Sequence, residues 1–310
     1  MFRVAVSTAL FLVYEVWSAS SLVPSNNTWD TTPVFFHSAN KSGPFSASTL
    51  DYIAEHPFAM VTLEKSTMLN YPPLNSSGEA KVIQQARWIK QRAPSRAVLF
   101  YACSMGWNLA PDEGNYDLYT QLPDNLWLRN SHTGDYCTVR GKWKVFDLSQ
   151  SEMVHRWLDA MIIKPLASGV IDGVFVDSAN LKVGDGEWLS CDGGIPHDKA
   201  AKWNAAHAAL FPAAQAIFGD KGIVMANNMD FPTPGGGLGN RGRFFEEFIG
   251  AFDGFNVRGD IHDMQAEAAL GRFTEAHGSG PIPLGKRTPV NDPALIAQVA
   301  LMCTFVCHRQ

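Results

Sequence analysis

Short apolar segments alternate with longer amphipathic segments along most of the chain. The short segments have continuous apolar runs typical of buried strands, and the longer ones have helical periodicity. Strands are predicted at 34–37, 59–64, 97–101, 170–177, 222–227, 244–248 and 282–286. Helices are predicted at 48–56, 79–92, 149–166, 199–218 and 264–275, and the third of these begins with Ser149-Gln-Ser-Glu152, a capping-box pattern. This alternation predicts a parallel sheet that is covered by helices.

Seven such strands predict an α/β fold of the (β/α)8 TIM-barrel type more than an open doubly wound sheet. The eighth strand has no clear counterpart, because the chain stops at Gln310, in or just after a predicted helix. Either an early segment supplies this strand or the chain is truncated before it. No repeat of fixed period and no low-complexity linker divides residues 21–310, so we expect a single domain.

The N-terminus has the order of a secretory signal peptide. Arg3 precedes an apolar stretch at 4–14, and small residues follow at 18–21. The apolar stretch is shorter than the roughly 20 residues that a membrane span needs, and Glu15 interrupts it. We therefore expect residues 1–20 to be a signal peptide, and the protein to be secreted without a membrane span.

Sequons and cysteines are consistent with a secreted glycoprotein. N-x-S/T sequons begin at Asn26, Asn40 and Asn75. The five cysteines are an odd number, so at least one thiol stays unpaired within the chain. Cys137 and Cys191 flank the central strand region and are a candidate disulfide. Cys303 and Cys307 lie four residues apart in a predicted helix, a spacing that more often reflects core packing than a bridge or a metal site.

Charge and composition exclude several functional classes. The net charge of −5 and the pI near 6.0 provide no basic surface for nucleic acid or anionic lipid. Nine Trp and seven Tyr suit stacking against sugar rings. The chain has no HExxH motif, no Cys/His cluster at ligand spacing and no GxSxG motif, so neither a metal site nor a serine nucleophile is expected. The GxGxxG match at 237–242 follows FPTPGG instead of a strand and is interpreted as a loop, so no cofactor is expected.

The sequence DGVFVD at 172–177 contains the leading catalytic candidate. Residues alternate between the two faces of a strand, so Phe175 and Asp177 share one face, while Asp172 lies about 16 Å away at the other end. Active sites of barrels form at the carboxyl ends of the strands. Asp177 is therefore the predicted catalytic carboxylate, and Asp172 is assigned a structural role.

Glycosidic cleavage needs a second carboxyl group, which should come from another strand end. The sequence FFEEF at 244–248 offers Glu246 and Glu247. Adjacent residues of a strand face opposite ways, so only one of the two can face the cleft, and we favour Glu246.

Further polar or aromatic residues fall at the predicted strand ends. Each has an ordinary structural explanation, such as a buried imidazole, an ion pair or a turn. Together they resemble the ring of donors and acceptors that a sugar demands, with Trp107 as a candidate stacking surface. The predicted substrate-binding residues are His37, Glu64, Tyr101, Trp107, Asn227, Asn228 and Lys286.

The segments LWLRNSHTGDYCTVRGKWKVFDLSQSEMVHRWLDAM and SGVIDGVFVDSAN resemble the middle of a group of (β/α)8 glycoside hydrolases related to the endo-α-1,4-polygalactosaminidases. In that group a Phe-Asp element precedes a helix that leads into a DGVF(x)D strand. The resemblance implies that Asp177 is the catalytic aspartate after the fourth strand, that Asp147 is a structural residue at a helix start, and that Glu246 is the partner acid. It extends over residues 33–305 at the level of motifs, and it implies no particular substrate.

The sequence thus predicts a secreted glycoside hydrolase that cleaves O-glycosidic bonds of a polysaccharide or glycoconjugate with a pair of carboxylates. One alternative is a secreted barrel that binds carbohydrate without turnover. Another is a polysaccharide lyase in which Tyr101 or His37 acts as base on a uronide. The sugar, the linkage and the oligomeric state stay open.

Overall fold

The computed structural model describes residues 34–56, 58–74, 76–108, 116–139, 141–179, 182–184, 189–191, 193–220, 222–227, 242–246 and 273–277. The predicted signal peptide, the sequons at Asn26 and Asn75, the pair Cys303 and Cys307, and the strand predicted at 282–286 lie outside these residues.

The described residues contain ten strands and six α-helices. The strands are β1 (Val34–Ser38), β2 (Phe58–Leu63), β3 (Ala97–Cys103), β4 (Gly106–Asn108), β5 (Thr138–Val139), β6 (Trp143–Val145), β7 (Gly173–Asp177), β8 (Ile223–Asn227), β9 (Gly242–Glu246) and β10 (Phe273–His277). The helices are α1 (Ala47–Glu55), α2 (Gly78–Arg92), α3 (Asp117–Thr120), α4 (Ser151–Leu158), α5 (Lys164–Ala167) and α6 (His197–Phe218). A π-helical segment, Asp159–Ile163, joins α4 to α5, and a 3-10 turn forms at Asp124–Leu126.

Seven strands form one parallel sheet in the order β1-β2-β3-β7-β8-β9-β10. The sheet curves strongly. This curvature is evident from the ring of His37 on β1, which lies 4.8 Å from the ring of Phe175 on β7. In a flat sheet these strands would be about 14 Å apart, since strands are spaced by about 4.8 Å and β2 and β3 lie between them. Sequential strand order, parallel pairing and this curvature are the architecture of a (β/α)8 barrel.

The helices begin where local sequence satisfies their free N–H groups. Ser46 caps α1 by accepting from the Thr49 amide, and Ser77 caps α2 by accepting from the Ala80 amide. One face of α2 is buried against the sheet, with Val82, Ala86 and Ile89 in the core. Within the described ranges, no helix combines the length and the apolar composition that a membrane crossing requires.

A second, antiparallel sheet lies between β3 and α4, in the order β4-β6-β5. The disulfide Cys137–Cys191 joins this region to the segment after β7, as the sequence predicted. Backbone hydrogen bonds reinforce the link, because the Ser190 amide donates to the Thr138 carbonyl and the Ser131 amide donates to the Gly194 carbonyl. The two long connections after β3 and β7 are thereby held together.

Two local predictions are wrong. The helix predicted at 264–275 does not extend to its last three residues, which form part of strand β10, Phe273–His277, paired with β9; residues 264–272 lie outside the described residues. The capping box at the start of α4 does not form: the N-cap is Gln150, without a side-chain cap, and the Ser149 hydroxyl donates to the carboxylate of Asp147. The buried Asp147 thus satisfies the polar groups that precede the helix, so Ser149 has no role as a cap.

Candidate active site

Polar side chains meet at the carboxyl ends of β2, β3, β7 and β8. Asp177 is the last residue of β7, in register with Cys103 of β3, and Asn227 is the last residue of β8. The apolar residues of β3 and β8 are buried, so the first polar groups that can reach a ligand are those at the strand ends. This is the end at which barrel enzymes place their chemistry.

The carboxylate of Asp177 accepts three hydrogen bonds. The Tyr101 hydroxyl donates to Oδ2, the Asn227 amide nitrogen donates to Oδ1 at 2.8 Å, and the Ser178 backbone amide donates to Oδ1 at 2.7 Å. The donors come from the ends of three neighbouring strands. Together they fix the direction of its two oxygens.

Tyr101 links Asp177 to a cation. The Lys65 ammonium donates to the Tyr101 hydroxyl at 3.2 Å and lies 4.5 Å from the centre of its ring. Burial, together with the negative charge of Asp177, raises the pKa of Tyr101 well above its usual value. Tyr101 therefore stays protonated and donates a hydrogen bond to Asp177.

His37 and Glu64 form the next part of the site. The Nε2 atom of His37 lies 2.6 Å from Oε1 of Glu64, and the Lys65 ammonium lies 3.8 Å from Oε2. Burial raises the pKa of Glu64, but the hydrogen bond from His37 and the charges of Lys65 and His37 outweigh it, so the pKa lies below the usual 4.5. At neutral pH Glu64 is an anion that is held by a hydrogen bond with His37 and an ion pair with Lys65.

Phe175 forms the apolar base beneath these groups. Its ring contacts that of His37 at 4.8 Å and that of Tyr101 at 6.0 Å. Phe175 shares a face of β7 with Asp177, as strand alternation predicted. The structure thus brings together five of the predicted site residues: His37, Glu64, Tyr101, Asp177 and Asn227.

A second layer behind Asp177 was not predicted from the sequence. The Ser104 amide and hydroxyl both donate to the Asp177 carbonyl, at 3.1 and 3.0 Å. The buried imidazole of His207, on α6, lies 2.8 Å from the Ser104 hydroxyl. A single His within an apolar helix and a Ser after a strand are ordinary features, so only the three-dimensional contact identifies them.

The prediction that Trp107 offers a stacking surface to a sugar is wrong. Trp107 is 4% exposed, and its ring stacks on that of Tyr119 with centroids 4.0 Å apart. Tyr119 in turn stacks on Phe146 at 5.7 Å. Trp107, on β4, therefore belongs to a buried aromatic stack with Tyr119 and Phe146.

The predicted partner acid is placed only through its backbone. Glu246 ends β9, two residues beyond Phe244, which is the register partner of Asn227. Residues two apart on a strand lie on one face, so Glu246 occupies a position on the same face and at the same end as Asn227. Glu247, Asn228 and Lys286 lie outside the described residues.

Two other aspartates lie apart from this cluster. Asp172, at the start of β7, accepts from the Val98 amide at 2.8 Å and pairs with the Lys90 ammonium at 2.6 Å. Asp147 pairs with the Lys199 ammonium at 2.8 Å. Among the described side chains, no three from His, Cys, Asp and Glu are grouped as ligands for a metal ion.

Comparisons with known proteins identify a family and a fold. A family model described as hypothetical glycosyl hydrolase family 15 matches residues 90–285. A comparison with curated protein sequences finds no match. The galactosidase domain of alpha-galactosidase-sucrose kinase, AgaSK, superposes with a TM-score of 0.52 at 14% identity, over 84% of this chain and 35% of that chain. The chain thus spans about a third of the length of that protein.

Two further solved structures are similar at lower scores. The glycoside hydrolase domain of PelA from Pseudomonas aeruginosa has a TM-score of 0.46 at 11% identity, over 79% of this chain and 82% of that chain. The GH36 alpha-galactosidase AgaB from Geobacillus stearothermophilus has a TM-score of 0.46 at 13% identity, over 89% of this chain and 41% of that chain. The fold class predicted from the sequence, a (β/α)8 barrel, is confirmed.

Proposed function

Since the chain belongs to hypothetical glycosyl hydrolase family 15, we propose that it hydrolyses O-glycosidic bonds in an α-linked or amino-sugar-containing glycan. In this proposal Asp177 acts as nucleophile or general base, and Glu246 acts as general acid. A secreted protein with this activity would act on a polysaccharide or glycoconjugate outside the cell.

The environment of Asp177 is the observation that carries the proposal. A nucleophile or general base must be ionised, whereas its partner must hold a proton. Both oxygens of Asp177 accept hydrogen bonds, from Tyr101, Asn227 and Ser178, so donors on three neighbouring strand ends hold the carboxylate in one orientation. These contacts support the role of base or nucleophile for Asp177 and leave the role of acid to another group.

Glu246 is supported by its register position at the end of β9. It lies on the face of Asn227, which itself contacts Asp177. The separation of the two carboxyl groups decides the stereochemistry: about 5–5.5 Å gives retention, and about 6.5–9.5 Å gives inversion. A separation above about 12 Å would exclude the pair, because no single water or sugar oxygen could bridge it.

Glu64, His37 and Lys65 offer polar contacts for the hydroxyl or amino groups of a sugar. They lie at the carboxyl ends of β1 and β2, on the other side of Tyr101 from Asn227. The low pKa of Glu64, which follows from the hydrogen bond of His37 and the charge of Lys65 in spite of burial, makes it an acceptor at neutral pH. Such an acceptor suits neutral and cationic sugars better than uronides.

A lyase is less consistent with these groups. Its base would have to lose a proton near neutral pH, but burial and the charge of Asp177 raise the pKa of Tyr101 well above 10. His37 is held in a short contact with Glu64, at 2.6 Å. Tyr101 is therefore unsuited to remove a proton from a uronide at neutral pH.

Secretion is supported by the disulfide Cys137–Cys191, since such bonds persist in oxidising compartments. The apolar N-terminal segment with the order of a signal peptide agrees with this. Expression of the full chain in a secreting host, followed by N-terminal sequencing of the exported protein, would test the predicted cleavage near residue 20.

A reducing-sugar screen over varied polysaccharides tests the activity. We expect the wild type to release reducing ends and Asp177→Asn to lower the rate by about 1,000-fold or more. Asp159→Asn is the matched control, because Asp159 lies outside the site in a half-exposed ion pair with Lys164, and its rate should stay within about twofold of wild type. Circular dichroism and thermal unfolding would show that all three proteins fold.

Three results would contradict the proposal. Equal rates for wild type and Asp177→Asn would remove Asp177 from the mechanism. An unsaturated product that absorbs in the ultraviolet would indicate a lyase. Binding on a glycan array without release of reducing ends from the bound glycans would indicate a barrel that binds carbohydrate without turnover.

A further inference from the structure

We propose that His207 and Ser104 form a buried positioning pair that fixes the turn after β7 and thereby holds the carboxylate of Asp177 in its working orientation. Its catalytic consequence depends on the proposed function, whereas its structural consequence does not. Both residues are buried, so neither touches a substrate as a catalytic residue would. Both act through the peptide that joins Asp177 to Ser178.

Ser104 forms several hydrogen bonds to this peptide. Its amide donates to the Asp177 carbonyl at 3.1 Å, and its hydroxyl lies 3.0 Å from the same oxygen and 3.2 Å from the Ser178 carbonyl. Ser104 is fully buried. The contact joins the end of β3 to the turn after β7 and restrains the rotation of two successive carbonyl groups.

The protons of this network require His207 to be a donor. A serine hydroxyl has one hydrogen, which Ser104 donates to a carbonyl oxygen, so its contact with Nε2 of His207 at 2.8 Å requires an N–H on that nitrogen. The ring is 4% exposed and is held between Trp203, at 4.9 Å, and Phe211, at 5.6 Å. His207 therefore fixes the direction in which the hydroxyl of Ser104 points.

The turn itself needs such support. Ser178 has a φ of 60°, in the left-handed region that residues other than glycine rarely adopt. Strained residues of this kind persist where the surrounding structure holds them, and they cluster at functional sites. The Ser178 amide also donates to Oδ1 of Asp177, so a rotation of this turn would move one of the donors of the carboxylate.

Burial also keeps the imidazole neutral at physiological pH, because it lowers the pKa of His207 to about 4. The pair thus supplies a hydrogen bond behind Asp177 without placing a positive charge there. An apolar ring would fill the same volume on α6. A polar pair at a fully buried position is explained by the hydrogen bonds it makes to the turn.

The kinetic test compares two variants of His207. His207→Phe keeps a ring but removes the N–H, whereas His207→Gln keeps an amide N–H that can reach Ser104. With the polysaccharide that wild type cleaves fastest, we expect His207→Phe to lower kcat about 10- to 100-fold with little change in KM. His207→Gln should recover most of the lost kcat.

Leu210→Ala provides the control for destabilisation, because Leu210 is buried on the same helix. It should lower the unfolding temperature and leave kcat unchanged. Equal kcat losses in His207→Phe and His207→Gln would overturn the proposal, since packing alone would then explain them.

Ser104→Ala removes the same hydrogen bond by deleting the hydroxyl group, and it serves in place of His207→Phe if that variant does not fold. The double variant of Ser104→Ala with His207→Phe should lose no more kcat than either single variant. Additive losses would contradict the proposal that the two residues act as a pair.

Crystal structures of the same variants provide a readout that does not depend on activity. In His207→Phe or Ser104→Ala, we expect the peptide between Asp177 and Ser178 to rotate and its hydrogen bonds to residue 104 to change. In His207→Gln the turn should match wild type. If wild type cleaves nothing, the proposed function fails, while an unchanged turn in all the variants would independently refute the positioning pair.

Discussion

The ion pair between Asp172 and Lys90 offers a test of the fold that does not depend on activity. Asp172 lies at the start of β7, at the opposite end of the strand from Asp177. Its Oδ2 atom lies 2.6 Å from the Lys90 ammonium and accepts from the Val98 amide at 2.8 Å. The side chains of Asp172 and Lys90 are only 8% and 13% exposed. The pair therefore joins α2, β3 and β7 in an environment that is poorly screened by water.

The expected cost of Asp172→Ala follows from what the change leaves behind. Lys90 keeps one acceptor, the Arg96 carbonyl at 2.7 Å, but loses its counter-charge. Val98 loses the acceptor of its amide. Removing one partner of a buried ion pair costs about 3–5 kcal/mol of unfolding free energy, because an uncompensated charge remains. Asp172→Asn keeps an acceptor for the amide and should cost less, about 1.5–3 kcal/mol.

Urea unfolding followed by tryptophan fluorescence measures these changes. The double variant Lys90→Met with Asp172→Asn should recover part of the loss, since no buried charge is left unpaired. Asp159→Ala, which breaks the more exposed pair with Lys164, is the matched control and should cost less than about 1 kcal/mol. A loss below about 1 kcal/mol in Asp172→Ala would refute the reasoning, because the pair would then behave as an exposed one.

Three further predictions concern the site and its surroundings. Tyr101→Phe removes one charge-assisted hydrogen bond from Asp177, so kcat/KM should fall about 10- to 150-fold in the reducing-sugar assay, and an unchanged kcat/KM would exclude this role. Burial lowers the pKa of His207 from 6.5 to about 4, so between these pH values the unfolded chain binds a proton that the native state does not. Stability should therefore fall by about 1.4 kcal/mol per pH unit towards acid, and urea unfolding of His207→Gln should lack this contribution. Replacing Cys137 and Cys191 by Ser should lower the unfolding free energy by about 4 kcal/mol, because the bridge spans 54 residues, and a loss under about 1 kcal/mol would show that hydrogen bonds alone join the segments.

The sequence predicted the elements of the barrel where hydrophobic burial is continuous. All seven residues of β3 are buried, and its predicted range, 97–101, matches most of Ala97–Cys103. A strand that is covered on both faces has an uninterrupted run of apolar residues, and such a run can be identified in the sequence. The small sheet was missed because β4, β5 and β6 have only two or three residues each, too few for any periodicity.

The candidate site was predictable as far as it depends on strand alternation. Parity placed Phe175 and Asp177 on one face, and the carboxyl end of the strand placed Asp177 beside Asn227. The prediction for Trp107 was wrong because the exposure of a ring depends on the residues that pack against it. The ring that covers Trp107 belongs to Tyr119, which lies on a separate helix, α3. The contact of Ser104 with His207 joins residues 103 positions apart, a separation at which no local pattern carries information.

The link between the connections after β3 and β7 also limits how far the surroundings of Asp177 can open. The disulfide Cys137–Cys191 and the hydrogen bond from Ser190 to Thr138 prevent these two connections from separating. Asp177 is the last residue of β7, where the second of these connections begins. An inhibitor that wedges between the two linked connections should therefore find no opening there.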